Sequence, residues 1–117
     1  MTSTQLPESL ISTLPGRYYT DERVFALEQA KIFEDMWFCA VLRSDIPNAG
    51  DFRTVQVGTE SLLISRSRRG EVRAFFNVCR HRGAQICTEE SGTVKRAFQC
   101  PYHAWTYDLE GKLIAAP

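Results

Sequence analysis

Two short Cys/His pairs constrain this chain more than any other feature, because they contain both of its histidines and two of its four cysteines. Cys79 and His81 form a C-x-H pattern, and Cys100 and His103 form a C-x2-H pattern. Thiolates and imidazoles bind soft or borderline metals. Four such side chains are enough to complete a closed site. The pairs therefore predict a metal centre built from two loops.

The grouping of these side chains leaves two kinds of metal site open. Zinc is one, since two Cys and two His form a common structural site, but zinc fingers pair Cys with Cys and His with His. Here each loop supplies one residue of each type. A two-iron two-sulfide cluster suits that grouping, because each loop can give its Cys to one iron and its His to the other. The spacing favours this cluster and keeps a structural zinc-binding module as a remote alternative.

Both loops resemble the cluster-binding loops of Rieske proteins. The likeness is carried by Cys79-Arg80-His81-Arg82-Gly83 and by Cys100-Pro101-Tyr102-His103-Ala104-Trp105. It implies a Rieske-type [2Fe-2S] cluster on loops 79–87 and 100–105, with two thiolates on one iron and two imidazoles on the other. The implied metal ligands are Cys79, His81, Cys100 and His103, and the implied supporting residues are Arg82, Gly83, Pro101, Tyr102 and Trp105.

Two classes of Rieske protein fit the chain less well than a third. The respiratory class carries an extra Cys in each loop, but Tyr102 occupies the place where the second would lie, so Cys87 has no partner for a disulfide. We therefore predict that Cys39 and Cys87 are free thiols. A stand-alone Rieske ferredoxin needs no long N-terminal extension, whereas residues 1–36 precede the first predicted strand here. That carrier remains the alternative interpretation.

The third class is the ring-hydroxylating type of non-haem iron oxygenase. Segments 15–21, 32–37, 45–51, 76–83 and 105–111 resemble the N-terminal part of its α subunits. Such enzymes relay electrons from a reductase or ferredoxin to a mononuclear Fe(II) held by two His and a carboxylate. Both histidines of this chain are assigned to the cluster. We therefore expect the catalytic mononuclear-iron domain to be absent from this chain, and we assign it no catalytic residue.

The same resemblance implies partners and leaves the substrate open. The N-terminal pattern and the second loop are similar both to the branch that oxidises quaternary ammonium compounds, such as choline, glycine betaine or carnitine, and to the aromatic-ring branch. The implied partners are a reductase or ferredoxin as electron donor and the catalytic domain of the same or a neighbouring subunit. A homotrimer is the implied assembly of the full-length protein.

Composition narrows the remaining classes. The 117 residues suit one globular domain. Net charge is zero, but residues 1–60 contain five Lys/Arg and nine Asp/Glu, whereas residues 61–117 contain nine and five. The basic half holds both loops, and its Lys and Arg residues fit either a solvated face, the favoured role for most of them, or the steering of an acidic electron donor. The overall neutrality and the lack of a nucleic-acid motif disfavour nucleic acid. No stretch has the length and apolarity of a membrane span, and the N-terminus lacks a leader pattern, so we expect a cytoplasmic protein without membrane contact.

Periodicity predicts a mainly β fold: a Rieske-type antiparallel β-sandwich or barrel with one N-terminal α-helix and a cluster-binding subdomain of two loops. Residues 1–19 are predicted to form an extended arm, and residues 20–117 the Rieske domain. Apolar residues at helical spacing predict a helix over 21–35 with Thr20 as its N-cap. The predicted strands are Trp37–Arg43, Asp51–Val57, Ser61–Arg66, Arg73–Val78, Thr93–Gln99, Trp105–Asp108 and Lys112–Ala115.

Overall fold

The computed structural model describes residues 12–117, so most of the predicted extended arm lies outside the described residues. The chain divides into two compact units, Met1–Met36 and Trp37–Pro117. The first contributes helical turns, and the second contains both sheets and both loops. In the range 12–117 no helix is long and apolar enough to cross a bilayer.

The N-terminal unit contains two short α-helices and one π-helical turn in place of the single predicted helix. Helix α1 spans Arg17–Thr20, α2 spans Glu22–Glu28, and the π-helical turn spans Gln29–Phe33. The prediction of Thr20 as N-cap was wrong, since the Asp21 carboxylate accepts from the N–H of Arg23 at 2.8 Å. Asp21 is extended, which ends α1 and starts α2. The last residues of the predicted arm are therefore helical.

The first sheet of the second unit is antiparallel and consists of β1 Asp51–Val57, β2 Glu60–Arg66, β3 Val72–Phe76 and β4 Ser91–Thr93, in the order β3-β2-β1-β4. Glycines with positive φ make its tight turns: Gly58 at +55° joins β1 to β2, and Gly70 at +80° joins β2 to β3. Three of the predicted strands are confirmed here to within two residues.

The second sheet is a three-stranded antiparallel sheet of β5 Ala97–Gln99, β6 Thr106–Asp108 and β7 Leu113–Ala115. Gly111 has a φ of +86° in the last turn, and its N–H donates to the carbonyl of Asp108 at 3.0 Å. The predicted final hairpin is confirmed. Strands β5 and β6 flank the second Cys/His loop, so their pairing brings the two ends of that loop together.

Two strand predictions were wrong. Residues 37–42 form no strand, and Arg43–Asp45 form a 3-10 helical turn. An apolar run forms a strand only where another strand is available to pair with it. The single strand predicted over Thr93–Gln99 is two strands in different sheets, because the chain crosses from the first sheet to the second at residues 94–96.

The core of this unit joins the two sheets. Phe52 from β1 and Phe98 from β5 meet edge to face, with ring centroids 5.7 Å apart. Burying each such ring contributes about 1.5–3 kcal/mol. A second buried cluster holds Cys79, Cys100 and Tyr107, and Ile86 packs against both clusters. The mainly β, antiparallel fold is therefore as predicted, and Cys79 and Cys100 are part of its core.

Candidate metal centre

The first Cys/His loop is a closed backbone ring. The N–H of Cys79 donates to the carbonyl of Ala84 at 2.7 Å, and the N–H of Gly83 donates to the carbonyl of Cys79 at 2.9 Å. Gly83 adopts a φ of +71°, a conformation that suits a residue without a side chain. Because the ring closes through backbone groups, the side chains of Cys79 and His81 are free to project from it.

The second loop forms the same ring from a different sequence. The N–H of Cys100 donates to the carbonyl of Trp105 at 2.8 Å, and the N–H of Ala104 donates to the carbonyl of Cys100 at 3.0 Å. Ala104 stands where the first loop has its glycine, and its φ of +57° is the one positive value among the described non-glycine residues. Such a backbone costs an L-residue about 1–2 kcal/mol.

The two thiols are buried side by side. Cys79 is 1% exposed and Cys100 is 2% exposed, and both belong to one cluster with Tyr107. The Tyr107 hydroxyl lies 3.3 Å from the Sγ of Cys79, and the N–H of Arg80 donates to the same hydroxyl oxygen at 3.1 Å. Since that oxygen already accepts from Arg80, its hydrogen is free to donate to the sulfur.

Hydrogen bonds prepare Cys79 to act as a thiolate. Burial alone raises the pKa of the Cys79 thiol. Donation from Tyr107, the N–H of His81, the Cys100 thiol and the N–H of Arg82 outweighs that effect, and the pKa lies below its usual value. The thiolate is the form that binds metal. Burial, followed by the bond to Cys79, raises the pKa of Tyr107, which keeps its hydroxyl protonated as a donor.

The two imidazoles lie on the outside of the loops. His81 and His103 are exposed, and their ring centroids are 4.7 Å apart. Each ring also contacts an aromatic neighbour. Trp105 stacks on His81 with the ring centroids 4.8 Å apart and the planes 6° apart. The ring centroids of Tyr102 and His103 are 3.9 Å apart, with the planes tilted by 42°. The imidazole pair therefore contacts aromatic rings on both sides, stacked at His81 and tilted at His103, and it is exposed to solvent.

This arrangement fits a two-iron cluster better than a single metal ion. Within residues 12–117, no three His, Cys, Asp or Glu side chains gather as a site for one ion. The side chains instead form a buried thiol pair and an exposed imidazole pair. A zinc ion needs three or four protein ligands around one point. A Rieske cluster needs one pair of protein ligands on each iron. Two buried thiols beside several N–H donors suit the iron that is bound by thiolates.

The remaining cysteines differ from this pair. All four cysteines are unbridged; Cys39 is exposed, and Cys87 is buried. Cys87 packs in the other core cluster, with Phe52 and Phe98. Burial, with a contribution from Glu89, raises the pKa of Cys87 to about 11, so it stays a neutral thiol at physiological pH.

Sequence reasoning missed two residues that contact the loops. The hydroxyl of Tyr107 forms a hydrogen bond with the sulfur of Cys79, and the side chain of Asn77 accepts a hydrogen bond from the backbone at the far end of the first loop. Both lie in segments that carry the family resemblance, but neither is among the predicted site residues. A buried polar side chain needs specific partners, but the burial of Tyr107 on β6 and of Asn77 after β3 is evident only in the folded structure.

Comparison with known proteins identifies the family. A family model described as the Rieske [2Fe-2S] domain matches residues 36–117. This chain belongs to the Rieske [2Fe-2S] domain family. A Rieske domain binds a two-iron two-sulfide cluster, so the cofactor prediction is confirmed. The match begins at residue 36, and the domain limit at residue 20 stays a prediction.

Curated relatives of this Rieske domain are oxygenase subunits. The glycine betaine monooxygenase oxygenase subunit of Chromohalobacter salexigens is 45% identical over 89% of this chain and 23% of its own length. The biphenyl 2,3-dioxygenase subunit alpha of Rhodococcus jostii is 39% identical over 97% of this chain and 24% of its own length. The chain thus spans about a quarter of the length of the relatives it matches. These matches favour the oxygenase class over the stand-alone ferredoxin.

Solved structures confirm the Rieske-type fold. Naphthalene 1,2-dioxygenase from a Rhodococcus species superposes with a TM-score of 0.81 at 36% identity, covering 89% of this chain and 23% of the other. The quaternary ammonium Rieske monooxygenase CntA, solved with L-carnitine, gives 0.80 at 39% identity, covering 89% and 29%. The fold is thus shared by a dioxygenase of an aromatic hydrocarbon and a monooxygenase of quaternary ammonium compounds.

Proposed function

We propose that this Rieske domain transfers single electrons within an oxygenase, with Cys79 and Cys100 as ligands of one iron and His81 and His103 as ligands of the other. The observation that carries the proposal is the separation of the four side chains into a buried thiol pair and an exposed imidazole pair. When bound, the cluster supplies one-electron chemistry at roughly −150 to +300 mV.

The residues around the thiol pair favour the reduced state. The hydroxyl of Tyr107 and the N–H groups of His81 and Arg82 point at the sulfur of Cys79. Hydrogen bonds to sulfur stabilise added negative charge and raise the potential. Burial of both cysteines excludes water from that side, so the exposed imidazoles provide the shortest route for electrons to a partner.

The partner on the donor side is a reductase or ferredoxin with an acidic surface. His81 and His103 lie next to the exposed residues Arg80, Arg82 and Tyr102. Positive charge near the point of electron entry speeds association with an acidic protein and loses its effect as salt screens it. On the acceptor side, we propose a mononuclear iron domain of the same or a neighbouring subunit, in a homotrimer, as the resemblance to oxygenase α subunits implies.

For the whole protein we propose oxidation of a quaternary ammonium compound, in the cytoplasm. The support is the identity of 45% to a glycine betaine monooxygenase subunit and 41% to the carnitine monooxygenase oxygenase subunit of Escherichia coli. An aromatic substrate is the second candidate, because biphenyl 2,3-dioxygenase subunit alpha matches 97% of the chain.

Metal analysis tests the ligand set. Purified, reconstituted protein should contain about two irons and two sulfides per chain and give the rhombic EPR signal of a His-ligated cluster on reduction. Cys79→Ala and Cys100→Ala should each abolish that signal, whereas Cys87→Ala should retain it. Colourless protein with one bound zinc would overturn the proposal in favour of a structural zinc module.

Reduction kinetics test the donor surface. Arg82→Glu should lower the rate constant for reduction by an acidic [2Fe-2S] ferredoxin by about tenfold at low salt, and the difference should shrink as salt is added. Arg69→Glu, in the exposed turn between β2 and β3, makes the same charge change away from the loops. Equal losses in both variants would mean that overall charge, and not this surface, governs association.

A further inference from the structure

Asn77 lies between the first ligand loop and the sheet. It follows β3 directly, precedes Cys79 by two residues and is 3% exposed. Its amide oxygen accepts from the N–H of Ile86 at 3.2 Å and from the N–H of Cys87 at 2.9 Å. The side chain thus binds the backbone at the far end of the same loop.

The amide nitrogen of Asn77 is equally occupied. It donates to the carbonyl of Cys87 at 2.7 Å and to the hydroxyl of Ser61 at 3.2 Å. That hydroxyl also accepts from the side chain of Gln85 at 3.1 Å. An Asn side chain offers two donors and two acceptor positions, and all four are used here. Such a buried, fully satisfied amide fixes one geometry of the segments it joins.

Backbone pairing cannot hold the ends of the first loop together. Strand β3 enters the loop and pairs with β2, whereas β4, the next strand after the loop, pairs with β1. No ladder therefore connects the two ends. The second loop differs, since Gln99 and Thr106 on either side of it are partners in the β5–β6 ladder. The side chain of Asn77 joins the two ends of the first loop, as strand pairing does in the second loop.

We infer that Asn77 is a positioning residue for the cluster, which joins the two ends of loop 79–87 and thereby fixes Cys79 and His81. The inference rests on the proposed function. Inside the loop, the bond from the N–H of Cys79 to Ala84 closes a small ring, and the amide of Asn77 closes a larger ring around it. Without the larger ring, residues 84–87 lose their attachment to β3, and the ligand spacing relaxes.

The test compares Asn77→Ala with Thr93→Val in cluster-loaded protein. Thr93 donates to the carboxylate of Asp51 at 2.6 Å between β4 and β1, so its replacement removes one side-chain hydrogen bond outside both ligand loops. Asn77→Ala should speed iron release to a chelator by about tenfold or more and broaden the EPR signal. Thr93→Val should change neither the rate of iron release nor the EPR signal when the two variants are compared at matched thermal stability. Equal iron release from the two variants at matched stability would overturn the inference.

Ser61→Ala provides a second test if Asn77→Ala does not fold. It removes the hydroxyl shared by Asn77 and Gln85 and leaves the bonds to Ile86 and Cys87 in place. Iron release should rise about two- to threefold, in the same direction. Unchanged release and an unchanged EPR signal would overturn the inference. A wild-type protein without any rhombic signal would instead overturn the proposed function, so the two failures are distinguishable.

Discussion

The two Cys/His loops share one pattern of backbone hydrogen bonds but are held by different means. In each, the N–H of the Cys donates to the carbonyl five residues later, and its carbonyl accepts from the N–H four residues later. The second loop lies between paired strands, whereas the ends of the first are joined through Asn77. A repeated local structure can therefore be stabilised by a ladder at one site and by a single buried amide at the other.

The loops also differ in the residue that adopts positive φ. Gly83 fills this position in the first loop without strain, and Ala104 fills it in the second with a side chain that disfavours it. The environments of the two sulfur atoms also differ, because the Tyr107 hydroxyl contacts Cys79 of the first loop. The following predictions test how far the equivalence of the loops extends.

The largest effect is expected from exchanging an imidazole for a thiolate. His81→Cys adds a negative charge to the ligand set and should lower the midpoint potential by on the order of 100–300 mV, as seen by redox titration. His103→Cys is the matched variant in the second loop. Similar shifts in both support equivalent ligation. An unchanged potential in His81→Cys would show that His81 is not a ligand.

A smaller shift should follow from Tyr107→Phe. The lost hydroxyl donates to Cys79 and stabilises added negative charge, so the potential should fall by about 60 mV if the bond favours the reduced state by about 1.4 kcal/mol. Tyr102→Phe is the control, since Tyr102 is exposed and its ring contact with His103 is kept. A potential that does not move in Tyr107→Phe would place the donor for Cys79 elsewhere.

Exchanging the two positive-φ residues should move stability in opposite directions. Gly83→Ala should lower the free energy of unfolding by about 1 kcal/mol, and Ala104→Gly should raise it by up to about 1 kcal/mol. An added Cβ at Gly83 meets no protein atom within 4 Å, so the cost is one of backbone conformation. Melting temperatures should shift by roughly 4 °C each way. Changes of the same sign would contradict strain at Ala104.

The smallest effect on the cluster is expected from the third cysteine of the loop region. Cys87→Ala removes a buried sulfur from the core and should lower stability by about 1–2 kcal/mol. The potential and EPR signal should match those of the wild type, because Cys87 packs with Phe52 and Phe98 and not with Cys79 and Cys100. Loss of the cluster in this variant would require a revised ligand set.

Local patterns in the sequence were enough to predict much of the fold. The alternation in Asp51–Val57 and the turn around Gly70 gave correct strands, because short-range pairing depends on residues that are close in sequence. Predictions failed where the outcome depends on distant partners. Residues 37–42 are apolar yet form no strand, and Thr93–Gln99 is divided between two sheets.

The sequence by itself determined the kind of site. Two Cys/His pairs of unequal spacing, one on each loop, indicate a mixed-ligand cluster because each pair is local to a single loop. Only the tertiary structure decided how these side chains are sorted. It buries Cys79 and Cys100 together and leaves the imidazoles outside, and it brings Tyr107 and Asn77 to the first loop. These contacts depend on the packing of two sheets and on hydrogen bonds that have no local sequence pattern.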